Sequence, residues 1–276
     1  MVLKAFLSRC DPEKKRALER FLPEGERLRL EEMPTFVEEV TPEGFSNGGM
    51  LEKVHWSWFL PTLKTYSEEE QKLFLSSVSP YAAKNLAHAL GLSSYAQEIS
   101  VVAKGFLRKI LLSTLVGPHD RLLPVDYLPP TPLKPLLGLS KKELTRLIDL
   151  LSLHDLAAEL RQIVETKILK KIYSLLSEEE RKFLKNAMAH KEPFILTRIG
   201  LDRWDGDEEA LRLLLHRRGL ARFAAALSGQ DPDFIWYICH QLDIGRGNAL
   251  FKLCAKEPVH GVTDAVIRQI EELLNL

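Results

Sequence analysis

Two His-Asp dipeptides, His119-Asp120 and His154-Asp155, are the most obvious candidates for chemistry in this chain. An imidazole beside a carboxylate is the start of the metal shell of a His-Asp phosphohydrolase. Completing that shell takes further histidines from neighbouring helices, and adjacent residues on one helix point about 100° apart. His119 also falls in a proline-rich segment. Cys239-His240 sets a thiol beside a base only along the chain. A nucleophile needs its base within hydrogen-bond reach and a third group to orient it, so Cys239 reads as a small buried hydrophobe. The glycines of DIGRGNAL follow no strand, which argues against a dinucleotide cradle. The reading is of no catalytic residue, no metal site and no cofactor.

The residues left for function are those that could grip a partner. In EEALRLLLHRR, Leu211, Leu214 and Leu215 make an apolar stripe, with Arg212 and His216 four apart on the other side. Arg217 and Arg218 follow at the helix end before Gly219, and Arg222 lies just beyond. The expectation is a helix capped by a left-handed Gly219, with cations matching its dipole and forming a basic partner-binding ridge. A second candidate is the aromatic group Trp56, Trp58 and Phe59, since aromatic anchors are typical of interface hot spots. Phe234, Trp236 and Tyr237 share one short helix and read as core.

The chain has 276 residues, enough for one large domain or two small ones, with 38 basic and 38 acidic residues. A zero net charge argues against a general nucleic-acid binder. Three cysteines, Cys10, Cys239 and Cys254, without metal-ligand spacing fit a reducing, cytoplasmic setting. The N-terminus has no uninterrupted apolar core of signal-peptide length. ISVVAKGFLRKILLSTLV is broken by Lys104, Arg108 and Lys109, expected on one side of an amphipathic helix. A soluble protein with no direct membrane insertion is expected.

The elements that must position these residues are helices. YSEEEQKLFLSSV and LSEEERKFLKNAM, 110 positions apart, open alike, with Ser67 and Ser177 as N-caps and Glu70 and Glu180 closing capping boxes. Ser140 and Glu143 make a third, and Asp11-Pro12 opens a helix to about Phe21. Residues 22–50 read as irregular, punctuated by Pro23, Pro34, Pro42 and Gly48-Gly49. Six prolines between 118 and 135 exclude a helix, and the leucines among them mark a strap lying on protein. The last third reads as about five short helices broken at Pro193, Gly219, Pro232, Gly245 and Pro258. RLRLEEM is the nearest approach to a strand pattern. The fold class is all-α, a stacked array of short, armadillo-like helices. The division is an N-terminal helical region (1–117), a proline-rich linker or strap (118–139) and a C-terminal helical domain (140–276).

Residues 140–276, most clearly from HKEPFILTRIGLDRWDGDEEALRLLLHRRGLARFAAALSGQDPDFIWYICHQL through EPVHGVTDAVIRQIEELL, resemble the C-terminal half of the flagellar rotor switch family, FliG. The FAAALSG turn sets Ala224, Ala226, Leu227 and Gly229 at matching places. Pro258-Val259 matches the family's Pro-Val step, and Val262 starts the last helix. His-Arg-Arg-Gly at 216–219 departs from the family's mixed stator-facing charges, and LDIGRGNA replaces its Met-Ser-x-Arg-Ala-Ala turn. These departures favour the related injection machine, in which the resemblance implies a sorting-platform adaptor of the SctK class. Such an adaptor is non-enzymatic and cytoplasmic, and joins the cytoplasmic pod protein to the inner-membrane ring protein. A flagellar switch component, an unrelated helical regulatory or chaperone-like protein and a His-Asp hydrolase stand as alternatives.

Overall fold

The computed structural model describes residues 7, 10–32, 48–95, 97–117, 122–163, 165–189, 200–201 and 204–275. Among them the protein is all-α, with no strand. The helices run α1 (Pro12–Glu19), α2 (Glu24–Glu32), α3 (Gly48–Lys53), α4 (Leu60–Leu63), α5 (Glu68–Ser77), α6 (Pro80–Leu90) and α7 (Val101–Val116). They continue as α8 (Lys141–Leu160), α9 (Thr166–Leu175), α10 (Glu178–Ala189), α11 (Glu208–Leu227), α12 (Pro232–Gln241), α13 (Ile244–Leu253) and α14 (Thr263–Leu274).

The starts follow local chemistry. Ser67 N–H donates to Glu70 Oε2 at 2.9 Å, and Glu70 N–H returns to Ser67 Oγ at 3.4 Å. Ser140 with Glu143 and Ser177 with Glu180 make the same exchange. Each box satisfies two backbone donors that a helix start would otherwise leave without partners. Asp11 accepts from Lys14 N–H, with Pro12 in the first turn of α1. The irregular reading of 22–50 gives way to α2 and α3, and RLRLEEM lies largely on α2. His119-Asp120, Pro34, Pro42 and Pro193 lie outside the described residues.

Among its described residues, 122–139, the proline-rich segment holds no α-helix. It carries 3-10 turns at Val125–Tyr127 and Lys134–Gly138, and Leu128, Leu133, Leu136 and Leu137 are buried in the core formed by α8, α11, α12, α13 and α14. Tyr237 O–H donates to the Leu123 carbonyl at 2.8 Å, tying α12 to the strap. A second cluster joins α8, α9, α10 and α11 through Leu153, Leu156, Ile172, Leu184 and Leu211. A third packs the N-terminal helices around Phe59, Leu63, Phe74, Leu86 and Leu111.

Two expected breaks are not breaks. α11 runs through Gly219 for 20 residues, about 30 Å. A Cβ at Gly219 would lie 2.7 Å from the Ile148 carbonyl carbon and closer to its oxygen, so this glycine admits the backbone of α8. The left-handed residue after α11 is Gly229, at φ 77°, and a side chain there would strike Pro258. Gly245 sits in the first turn of α13, opened by Asp243 accepting from Arg246 N–H. The amphipathic reading of α7 also changes: Arg108 turns inward, its Nε donating to the Ser77 carbonyl at 2.7 Å, while Val101, Val102 and Phe106 face outward.

Candidate functional site

The basic ridge is not a surface feature. Because α11 continues past Gly219, Arg218 and Arg222 lie one turn apart on its inner side. Arg222 is 0 % exposed and bridges Asp155 Oδ1 at 2.9 Å and Gln269 Oε1 at 2.8 Å. Arg218 reaches the other Asp155 oxygen at 3.4 Å. Arg212 pairs with Glu180 at 2.6 Å and donates to the Leu175 carbonyl. Of the five expected ridge residues only Arg217 is exposed. A buried carboxylate shared by two guanidiniums was the missing partner. It lies 67 residues from Arg222 along the chain, so no local pattern could show it.

His216 is the centre of a polar chain. Its Nε2 accepts from Arg246 Nε at 3.0 Å, which places the ring proton on Nδ1, facing Asp149 Oδ1 at 2.6 Å. Arg246 pairs with Asp243 at 2.6 Å, Asp243 with Lys141 at 3.2 Å, and Lys141 Nζ meets His55 Nε2 at 3.3 Å. Six side chains thus link α8, α11 and α13 to the N-terminal region. Burial alone would raise the Asp243 carboxyl, but hydrogen bonds from Arg246 and Lys141 hold it well below the usual carboxylate range. Burial, followed by the charge of Lys141, lowers His55 to about 4.

The aromatic group lies at the same junction. Phe59 is core. Trp58 donates its indole N–H to the Leu242 carbonyl at 2.9 Å and stacks on the His240 ring at 4.0 Å between centroids. Trp236 covers the other face of His240 at 3.7 Å, so the imidazole is held between two indoles. Its Nδ1 faces the Trp236 carbonyl at 2.8 Å, and burial lowers its pKa to about 4. Around this stack His55 N–H donates to the His240 carbonyl at 2.7 Å, and Ile244 N–H to Ser57 Oγ at 2.9 Å. Gly247 makes room: a Cβ there would meet Trp58 Cζ2 at 2.5 Å. Trp58 and Phe59, expected as partner anchors, are therefore turned inward, while Trp56 is partly exposed.

Beside Trp56 opens a cleft between the N-terminal helices, the strap and the start of α8. It has two confluent basins of about 460 and 880 Å3 that share His55, Tyr81, Ser140 and Lys141. Lys53, Arg108, Lys142 and Arg146 line it together with Glu52, Glu143, Asp149 and Glu179. Charges of both signs suit a polar protein surface better than a ligand of one sign.

The other chemical candidates are engaged in packing. His154 packs edge-on against Phe183, at 5.2 Å between centroids, and its neighbour Asp155 belongs to the arginines. Cys239 is buried, and burial pushes its thiol up, away from the reactive thiolate. Among the described residues no three His, Cys, Asp or Glu are grouped to hold a metal ion, and no helix is long and apolar enough to cross a membrane. Comparison with protein-family models, curated proteins and solved structures finds no match for this chain.

Proposed function

We propose that this protein is a non-enzymatic adaptor at the cytoplasmic base of a type III secretion system, linking the pod protein of the sorting platform to the inner-membrane ring protein. The placement in that machine rests on the resemblance of residues 140–276 to the FliG family. The adaptor role rests on one observation: the residues with chemical potential join helices to one another. His216 links α8, α11 and α13, Asp155 links α8 to α11, and His240 is stacked between Trp58 and Trp236. What such a fold offers outward is shaped helical surface. The mixed-charge cleft, with Trp56 at its edge and Arg217 exposed on α11, is surface of the kind a polar partner segment recognises.

The test is co-purification of the tagged full-length chain with the pod and ring proteins of the same organism. Capture of both, kept in His154→Ala and Cys239→Ala variants, is the expected result. Capture of neither would remove the reading. Capture of flagellar rotor proteins in their place would move the protein to the flagellar switch.

A further inference from the structure

The helices before the strap are joined to the rest of the fold through one short stretch of chain. Among the described residues, the hydrogen bonds between 48–117 and 122–275 all involve residues 53–58. Lys53 Nζ donates to the Leu137 carbonyl at 3.3 Å, His55 N–H to the His240 carbonyl at 2.7 Å and Trp58 Nε1 to the Leu242 carbonyl at 2.9 Å. In return, Ile244 N–H donates to Ser57 Oγ at 2.9 Å and Lys141 Nζ to His55 Nε2 at 3.3 Å. The apolar part of the joint is as narrow. Among the described residues, the core around Phe59 and Leu86 takes one side chain from beyond the strap, Trp236, which also packs on the core of α8, α11 and α12. Units held by a small polar contact move against each other, and such contacts open at less cost than the cores beside them.

His55 stands in the middle of this stretch with its ring engaged on both sides. An ammonium can only donate, so Lys141 takes the lone pair of Nε2, and the ring proton sits on Nδ1, 2.8 Å from Ser57 Oγ. A second proton would fall on Nε2 and face Lys141, donor against donor. The charges around the ring are Lys141 from α8, Asp243 from the turn before α13 and Arg246 from α13. Asp243 is already shared by Arg246 at 2.6 Å and Lys141 at 3.2 Å, so its carboxylate is committed. Glu52 and Glu143, which line the smaller basin with His55, are turned to Arg108 and Ser140. Tyr81 of α6 lines both basins, and His240 of α12 stacks on Trp58.

We propose that residues 53–58 are a latch, and that a proton on His55 Nε2 opens it, releasing α3–α7 from the rest of the fold while both parts stay folded. The opened joint uncovers Trp58 and Trp236, which close on His240 in the latched state. The sign follows from linkage: His55 is lowered to about 4 in the latched state. Released, it returns to about 6.5. The open state therefore binds more protons and gains population as pH falls. This is independent of the secretion reading.

Native-state hydrogen exchange on the full-length protein tests it. The amides of His55 and Ile244 both cross the joint, one from each side. They should share one opening equilibrium, larger than that of core amides such as Leu86 in α6 and Phe223 in α11. Corrected for intrinsic exchange, that opening should grow about tenfold or more between about pH 7 and about pH 5. His55→Gln keeps a side-chain oxygen for Lys141 without a titrating ring, so the growth seen at Ile244 should shrink. Amides of His55 and Ile244 that exchange only together with Leu86 and Phe223 would overturn the proposal. So would an opening that acid leaves unchanged, or a growth in His55→Gln equal to that of the wild type.

Discussion

Gly219 of α11 lies directly against the backbone of Ile148 on α8, so close that a methyl group would fall 2.7 Å from the Ile148 carbonyl carbon. In an exposed helix, alanine in place of glycine gains up to about 1 kcal/mol. Here the obstacle is backbone, which cannot rotate away, and overpacking costs about 1–3 kcal/mol or more. Gly219→Ala should therefore lower stability by urea denaturation. A stabilised variant would show that the two helices sit further apart.

Asp155 carries the joint between α8 and the inner side of α11. Removing one partner of a buried pair leaves a desolvated charge and costs about 3–5 kcal/mol. Asp155→Ala should be strongly destabilising, because it removes the one carboxylate that both Arg218 and Arg222 reach in the core. Asp155→Leu combined with Arg222→Met should lose less than the two single changes added together. A strictly additive double-mutant cycle would count against the coupling.

Arg217 and Arg222 should part company under charge reversal. Arg217 is exposed, so Arg217→Glu should leave the melting temperature within the small range of ordinary surface changes. Arg222→Glu puts a second carboxylate against Asp155 in the core and should prevent stable folding. Thermal melts of the two proteins separate these outcomes, and only the first is fit for partner-binding assays.

Trp58 should decide whether the two halves unfold together. Its indole stacks on His240 and donates to Leu242. Trp58→Ala should cost near the lower end of about 3–5 kcal/mol, since the ring is only partly buried. It should also separate the fluorescence and far-ultraviolet transitions. Trp58→Phe keeps much of the contact but drops the hydrogen bond, for about 1 kcal/mol. Transitions that stay coincident in Trp58→Ala would place the coupling elsewhere.

His55 and His240 should make the fold acid-sensitive. Burial lowers both to about 4; Lys141 adds to the lowering at His55, and the Trp236 carbonyl partly opposes it at His240. In the unfolded chain both return to about 6.5. The unfolded state thus binds more protons, so their contribution is complete above about pH 6.5 and is lost as pH falls toward 4. The slope is at most about 1.4 kcal/mol per pH unit for each histidine. Asp243, held low, acts only below its ordinary value near 3.8, outside this window. Urea titrations across the window should show a slope that His240→Gln reduces. An unchanged slope would mean that His240 is charged in the fold.

What the sequence determined by itself is what neighbours in the chain decide. The caps at Ser67, Ser140 and Ser177 are contacts between residues three apart, readable because a helix start repeats the same short-range geometry wherever it occurs. The all-α class and the leucine-bearing strap were legible for the same reason: proline density and apolar period act within a few residues. α2 was obscured by Pro23, which reads as loop punctuation although it stands just before the helix.

Only the tertiary structure decided which side of each helix faces inward. Gly219 has the sequence context of a helix end, and whether it caps the helix or admits another depends on Ile148, 71 positions away (219 − 148). The cations of α11 look like a surface ridge until Asp155 and Asp149 arrive on α8, each 67 residues from its partner. Trp58 looks like an anchor for another protein until Leu242 approaches, 184 residues on. A side chain's role follows from the charge and volume opposite it. Where those are supplied by distant segments, they exist only once the chain has folded.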